Sequence, residues 1–383
     1  MKKVIYISYA VCAIAMFALL FYMFDHLRVI ESNTREDNEY TQLQPYRTWV
    51  VKDSGAPIGV SKVFQFKVPA IGKGTKTLAF YSHHQDVVIY KGDKVIYQRR
   101  VYQGNPFGRT SGQGWNDLTL YSEDSGKILT VVMSPEYSTV QGIDVTFYCG
   151  SKIKIWLHDV IRQLAPSILS LIAIVMGMIF VVFILVNIRN KKINRNLLFM
   201  GIFSICIGVW KITDAGILQL LFGNNILFSY IPFVSLLLCV IPFVLFMRTL
   251  FTDRESKGWY IVCLASLAVM VFSFVVQILN KGDMRETLPF NHAVMGVMAL
   301  VTVVQVVRQW KKQGMNRKLK LIFCCFLTCI VGLIGDTITF YTTEGMGSMV
   351  FGIFGFIIFT IIVGINSMAE SRALMARGEQ AEQ

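Results

Sequence analysis

Runs of apolar residues long enough to cross a bilayer recur along this chain, and they restrict what it can fold into. A hydrocarbon core about 30 Å thick takes ~20 helical residues, and in lipid every backbone polar group must be satisfied internally. The first run is Val4–Phe24, preceded by Lys2 and Lys3. It is too long for a secretory-signal core and no small-x-small cleavage site follows, so residues 1–25 read as an uncleaved signal anchor, with a cleaved signal as the alternative. After a long polar stretch come Ile161–Ile188, Leu197–Leu218, Ile226–Phe246, Trp259–Leu279, Pro289–Val307, Leu321–Tyr341 and Met349–Ile365. A chain 54% hydrophobic over 383 residues with these runs is an integral membrane protein.

Basic residues in the short loops set the expected orientation. Arg189, Lys191, Lys192 and Arg195 follow the second span; Arg248, Arg254 and Lys257 follow the fourth; Arg308, Lys311, Lys312, Arg317, Lys318 and Lys320 follow the sixth. The alternate loops hold little more than Lys281 and Arg285. Both termini are therefore expected in the cytoplasm of a multi-pass plasma-membrane protein, with residues 26–158 outside. Loop signals and lipid headgroups account for the net charge of +13. The basic loops are short and carry few aromatics, which argues against nucleic acid as a partner.

Residues 26–158 switch to a period of two. "VVIY" and "KVIY" flank Gly92-Asp93, a two-residue hairpin signal. "TWVVK", "KVFQFKVP", "NDLTLY", "KILTVVMS" and "GIDVTFYCG" alternate likewise, so about eight strands predict an antiparallel, jelly-roll-like β-sandwich. Only Cys149 of eight cysteines lies in this segment, so the sandwich has no intrachain disulfide and Cys149 reads as a small core residue. Cys324, Cys325 and Cys329 lack the companions of a metal site and read as helix-packing residues; no metal or cofactor is expected. The Gly-rich stretch "GNPFGRTSGQGWNDL" carries Phe107, Arg109 and Trp115. Arg109 and Trp115 could hold a polar or carbohydrate-like ligand by hydrogen bonding and stacking, or simply pack the loop. His83 and His84, weaker external ligand candidates, are adjacent, point to opposite strand faces and cannot jointly clamp a metal; one of them reads more simply as a solvated or core-edge histidine. Arg99 and Arg100 read as solvated.

The order "FYSHHQDVVIYKGDKVIY", "PFGRTSGQGWNDL", "KILTVVMSPEY", "FYCGSKIKIWLHDVIR" resembles the jelly-roll sensor domain of certain bacterial receptors. "NRNLLFMGIFSICIGVWKITDAGILQLLFGNNILFSYIPFVSLLLCVIPFVLF" is similar to their membrane part. The family is the seven-transmembrane receptors with diverse intracellular signalling modules, in the branch usually fused to a GGDEF-type diguanylate cyclase. The resemblance implies an extracytoplasmic sensor domain at 26–158 and a seven-helix domain at 159–367. The sequence departs from the family pattern after Ile365: the tail at 368–383 has neither a GGDEF motif nor a phosphoacceptor histidine.

Lys211 and Asp214 stand in the outer half of the third span, His292 near the start of the sixth after Pro289, and Asp336 in the outer half of the seventh. Ionisable groups in spans face the bundle interior or a wet cavity. The four are read as a polar pocket at the outer mouth, with snorkelling of a Lys211–Asp214 pair beside Trp210 as the plainer alternative. The last span has no lysine for a retinal Schiff base, and "GLIGD" at 332–336 does not match an intramembrane aspartic protease. The reading is therefore a sensor without an enzyme of its own, relaying an unidentified ligand or envelope partner to a separate cytoplasmic cyclase or kinase. A homodimer is compatible with it. A transport or envelope-assembly component with a docking sandwich, and a truncated diguanylate cyclase, are the alternatives.

Overall fold

The computed structural model describes residues 40–53, 55–101, 109–187, 197–222, 225–251, 256–314, 317–342, 350–369 and 372–373. The expected anchor at Val4–Phe24, Phe107 and most of the 368–383 tail lie outside them. Among the described residues nine strands come first: β1 (Thr41–Leu43), β2 (Arg47–Lys52), β3 (Val60–Lys67), β4 (Thr75–His83), β5 (Gln85–Lys91), β6 (Lys94–Arg99), β7 (Gln113–Tyr121), β8 (Ile128–Pro135) and β9 (Phe147–Gly150). They form two sheets, β1-β9-β4-β7 and β2-β3-β8-β5-β6, with every pairing antiparallel.

Alternation decides which side of each strand is buried. On β8, Leu129, Val131 and Met133 turn inward while Ile128 and Thr130 do not. Phe147 of β9 sits between the sheets, its ring 4.5 Å from Phe66, 4.7 Å from Phe80 and 5.0 Å from Phe64. Cys149 is buried in the same core. Gly92 takes φ 61°, as the two-residue β5–β6 turn requires. Trp115, expected in a loop, stands on β7, because β7 pairs with β4 as far as the His83–Gln113 register.

Helix α1 (Lys152–Arg162) follows and packs Ile155 and Asp159 inward. Ile153, Leu157 and Ile161 form an exposed apolar stripe at a four-residue repeat, immediately before the first long apolar helix. That helix, α2, is Leu164–Val186, and is followed by α3 (Leu197–Asp214), α4 (Ile217–Phe222), α5 (Asn225–Leu250), α6 (Lys257–Ile278), α7 (Met284–Gln313), α8 (Arg317–Thr342) and α9 (Val350–Phe359), with a π-helical turn at Thr360–Gly364. Among the described residues six helices are long and apolar enough to cross a membrane, which marks a multi-pass membrane protein: α2, α3, α5, α6, α7 and the continuous Val350–Ala369. The apolar windows of α5 and Val350–Ala369 are each 56% buried, against 28% for α2 and 22% for α6. The former are thus the inner helices, and the exposed Leu171, Val175, Leu264 and Val271 of the latter are a lipid-facing surface. α7 begins five residues before Pro289, which the sequence suggested as its start, because Asp283 caps it.

Lipid gives helices little hydrophobic reason to associate, so close backbone approach matters. A Cβ on Gly177 of α2 would stand 2.6 Å from the Gly201 carbonyl oxygen, and one on Gly208 of α3 2.7 Å from that of Ser170. The Ser204 hydroxyl donates to the Ala173 carbonyl at 2.8 Å in the same crossing. Farther in, the Phe203 ring lies tilted 4.5 Å from Phe243 and edge-to-face 4.8 Å from Phe356. Gly201→Leu is expected to wedge α2 from α3 and cost about 1–3 kcal/mol, the usual range for overpacking. Gly296→Ala, where nothing lies within 4 Å, should be neutral. Thermal melts in detergent check both, and a Gly201→Leu protein as stable as the parent would contradict this crossing.

Candidate functional site

The sandwich and the helices meet at a buried polar joint. α6 ends at Ile278, Asn280 reverses the chain with φ 51°, and Asp283 becomes the N-cap of α7. The Asp283 backbone N–H donates to Glu286 Oε2 at 2.8 Å, half of a capping box. Its side chain, 1% exposed, faces elsewhere. One oxygen accepts from Gln277 Nε2 at 2.9 Å and from the Tyr230 hydroxyl at 3.0 Å. The other accepts from the Tyr137 hydroxyl, and both lie 3.3 Å from the Arg109 backbone N–H. Gln277 belongs to α6 and Tyr230 to α5, whereas Arg109 and Tyr137 come from the sandwich. One carboxylate therefore ties the ends of three helices to the β domain.

Flanking bonds extend the joint. The Arg109 guanidinium donates to the Asn280 carbonyl at 2.8 and 3.2 Å, and the Gln113 N–H donates to Ser229 Oγ at 2.8 Å. The strap between Arg109 and Gln113 is itself held from behind. Arg99, expected at a solvated surface, donates to the Ser111 and Gly114 carbonyls at 3.0 and 3.3 Å. Glu136 Oε1 accepts from the Ser111 N–H at 2.6 Å and its hydroxyl at 2.7 Å. His84 Nδ1 is 2.8 Å from Thr110 Oγ1, and its ring lies 5.5 Å from Tyr137 and 6.2 Å from Phe233 of α5.

Burial shapes the electrostatics here. It pushes the Glu136 carboxyl up to about 8, reinforced by Asp86 and opposed by the Ser111 hydrogen bonds. It raises the Tyr137 phenol, with Asp283 adding to the effect, and it holds His84 well below the ordinary histidine value, Arg285 adding to this.

The outward face of the first sheet continues the contact as a row of rings. Tyr81 lies 4.8 Å from His83 and 5.9 Å from Trp115, and Trp115 lies 6.1 Å from Tyr148. Trp115 Nε1 donates to Asp159 of α1 at 2.9 Å, and the Tyr81 hydroxyl to Gln219 Oε1 of α4 at 3.4 Å. Arg109, Trp115, His83 and His84 thus all stand where the sandwich meets the helices. On the second sheet a shallow hollow of ≈ 420 Å³ is lined by Val50, Val60, Ser61, Lys62 and Pro135, among others, and contains none of those four.

Within the helices, Lys211 Nζ pairs with Asp214 Oδ2 at 3.0 Å, and the lysine side chain is 3% exposed. Asp336 serves a different end: its oxygens accept from the Phe351 and Gly352 N–H groups at 3.0 and 2.5 Å, capping α9. His292 is exposed on α7. Lys211 and Asp214 therefore pair with each other and Asp336 binds the start of α9, with His292 in neither contact. Among the described residues no group of three or more His, Cys, Asp or Glu side chains could hold a metal ion. Asp283 was not singled out by sequence; the signal for it is the cap spacing Asp283-Met-Arg-Glu286 ahead of an apolar run. No family model matches the chain, and no curated protein matches it.

Asp283→Ala leaves the Tyr137 and Tyr230 hydroxyls and the Gln277 amide buried without an acceptor, at about 1–3 kcal/mol each. Trypsin cleavage after Arg109 in nanodisc-embedded protein should accelerate several-fold; an unchanged rate would contradict the joint. Glu136 gives a pH dependence of definite sign. The folded state keeps its proton between the ordinary 4.5 and about 8, whereas the unfolded chain loses it. Its contribution is full below pH 4.5 and is lost as pH rises toward 8. Melting temperatures from pH 5 to 8 should fall more steeply for the parent than for Glu136→Gln.

Proposed function

We propose that this chain is a bacterial membrane sensor whose exported sandwich passes a signal through a seven-helix bundle to a separate cytoplasmic effector. The observation that carries this reading is the joint at Asp283. A sandwich that only anchored the protein would need a tether, whereas this one is bonded through a single carboxylate to the outer ends of α5, α6 and α7. Any shift of the Arg109–Gln113 strap or of Tyr137 changes the bonding of all three helices at once. A ligand favouring one arrangement of the strap would bias the bundle by its difference in affinity for the two.

Two further features support the reading. With β2 set aside, the strand order pairs first with eighth, third and sixth in one sheet and second with seventh, fourth and fifth in the other. That supports a jelly roll and, with it, the resemblance to seven-transmembrane receptors with diverse intracellular signalling modules. The clusters Arg189–Arg195 and Arg308–Lys320 favour an inner-face location for the loops opposite the sandwich, with both termini inside. The apolar stripe of α1 would then lie on the outer leaflet, beside Lys154 and Arg162.

Spin labels on Arg248→Cys and Lys312→Cys, in a cysteine-substituted background in nanodiscs, test the relay. Sensing predicts that Asp283→Ala shifts the distance distribution between these inner ends of α5 and α7. An unchanged distribution, with the sandwich loosened, would leave it an anchor or docking module. An impermeant maleimide should label Asp93→Cys in intact cells, and cytosolic labelling would overturn the orientation.

A further inference from the structure

Of the arginines at the joint, Arg109 and Arg99 spend their guanidinium donors on carbonyl oxygens. Arg285, in the first turn of α7, does not. Its guanidinium lies 5.6 Å from the Tyr137 ring centre and has no hydrogen-bond acceptor or carboxylate partner among the described residues. It stands within electrostatic reach of His83 on β4 and Asp214 on α3. Around it the packing is not shut: Arg285, Tyr81 and His83 are only half-buried, and the Asp214 side chain is 37% exposed. A second donor is unused nearby. Gln219, 3% exposed, accepts from the Tyr81 hydroxyl while its buried Nε2 has no partner among the described residues.

We propose that this junction between β4 and the outer ends of α3, α4 and α7 binds the carboxylate of a small organic acid, with Arg285 as the principal cation. The charges favour a monoanion. Arg285 and Lys211 are cationic and Asp214 is anionic, which leaves one positive charge to neutralise. Burial, with Arg285 beside it, holds His83 down to about 4, so its ring is neutral and serves as a wall. A guanidinium presents a planar fork that matches the two oxygens of a carboxylate. The Tyr81 and His83 rings, 4.8 Å apart, offer apolar faces for the rest of the molecule. The Lys211–Asp214 pair supplies a cation held in place and a carboxylate that repels further negative charge, so dianions are disfavoured.

As a signal-receiving site this rests on the sensing reading, because an acid bound here bridges sandwich and bundle beside the Asp283 joint. Binding of benzoate to the full chain in nanodiscs, followed by calorimetry, tests it, with benzamide as the uncharged analogue and phosphate as the non-planar anion. Benzoate should bind, with benzamide and phosphate at least tenfold weaker. Arg285→Gln should weaken benzoate at least tenfold, and Asp214→Asn should tighten it several-fold by removing a like charge. The opposite signs separate site effects from misfolding. Equal binding of benzoate and benzamide, or no change in either variant, would overturn the site. Benzoate binding with both variant effects but no shift between the Arg248 and Lys312 labels would uphold the site and remove the sensing reading.

Discussion

A carboxylate taken out of water must be given hydrogen-bond donors, and Asp283 obtains them from two domains at once. Tyr137 and the Arg109 amide come from the sandwich, Tyr230 and Gln277 from the helices. Neither side alone offers the full set. A buried charge without partners costs far more than a buried neutral group, so separating the domains requires water to enter. The joint is directional for the same reason. Hydrogen bonds of this kind fix angle as well as distance, and the strap from Arg109 to Gln113 is held in one register by Arg99 and Glu136 behind it.

The bundle below answers a different constraint. Its inner helices cannot rely on hydrophobic burial, since lipid is as apolar as their own surface. Gly177, Gly201 and Gly208 let α2 and α3 approach to backbone contact, while Gly332 does the same for α8 against Phe351. Asp336 completes that second contact by capping α9. The helices that carry the joint, α5, α6 and α7, converge on Asp283 at their sandwich-facing ends, and α5 is one of the two most buried long helices. A change at the joint therefore starts at one end of an inner helix.

Much of the architecture was legible in the sequence, and the reasons are physical. Alternation identified β3 and β8 because one face of each must be dry, and Phe147 and Cys149 likewise fell on the buried face of β9. The apolar runs located the long helices to within a few residues. The pairing of Lys211 with Asp214 followed from a three-residue spacing on a helix. Depth in the membrane, however, does not say which way a side chain faces, so His292 and Asp336 were grouped with the Lys211–Asp214 pair, although Asp336 binds the start of α9 instead. Arg109, Trp115, His83 and His84 read as surface chemistry because a sequence does not show which face of a sandwich is covered. Asp283 escaped notice because most of its donors are distant in sequence, with Tyr137 146 positions away. Its local cap spacing was the one accessible sign, hidden by taking Pro289 as the helix start.

Amide hydrogen exchange in nanodiscs tests the central claim most directly, because it reads the opening of the joint residue by residue. If one carboxylate clamps the sandwich to the helices, Asp283→Ala should raise exchange at Arg109 and through the strap to Gln113 at least tenfold. The β3 and β8 amides, which belong to the sandwich core, should stay protected. Strap exchange equal to that of the parent would show that the two domains are held together without Asp283.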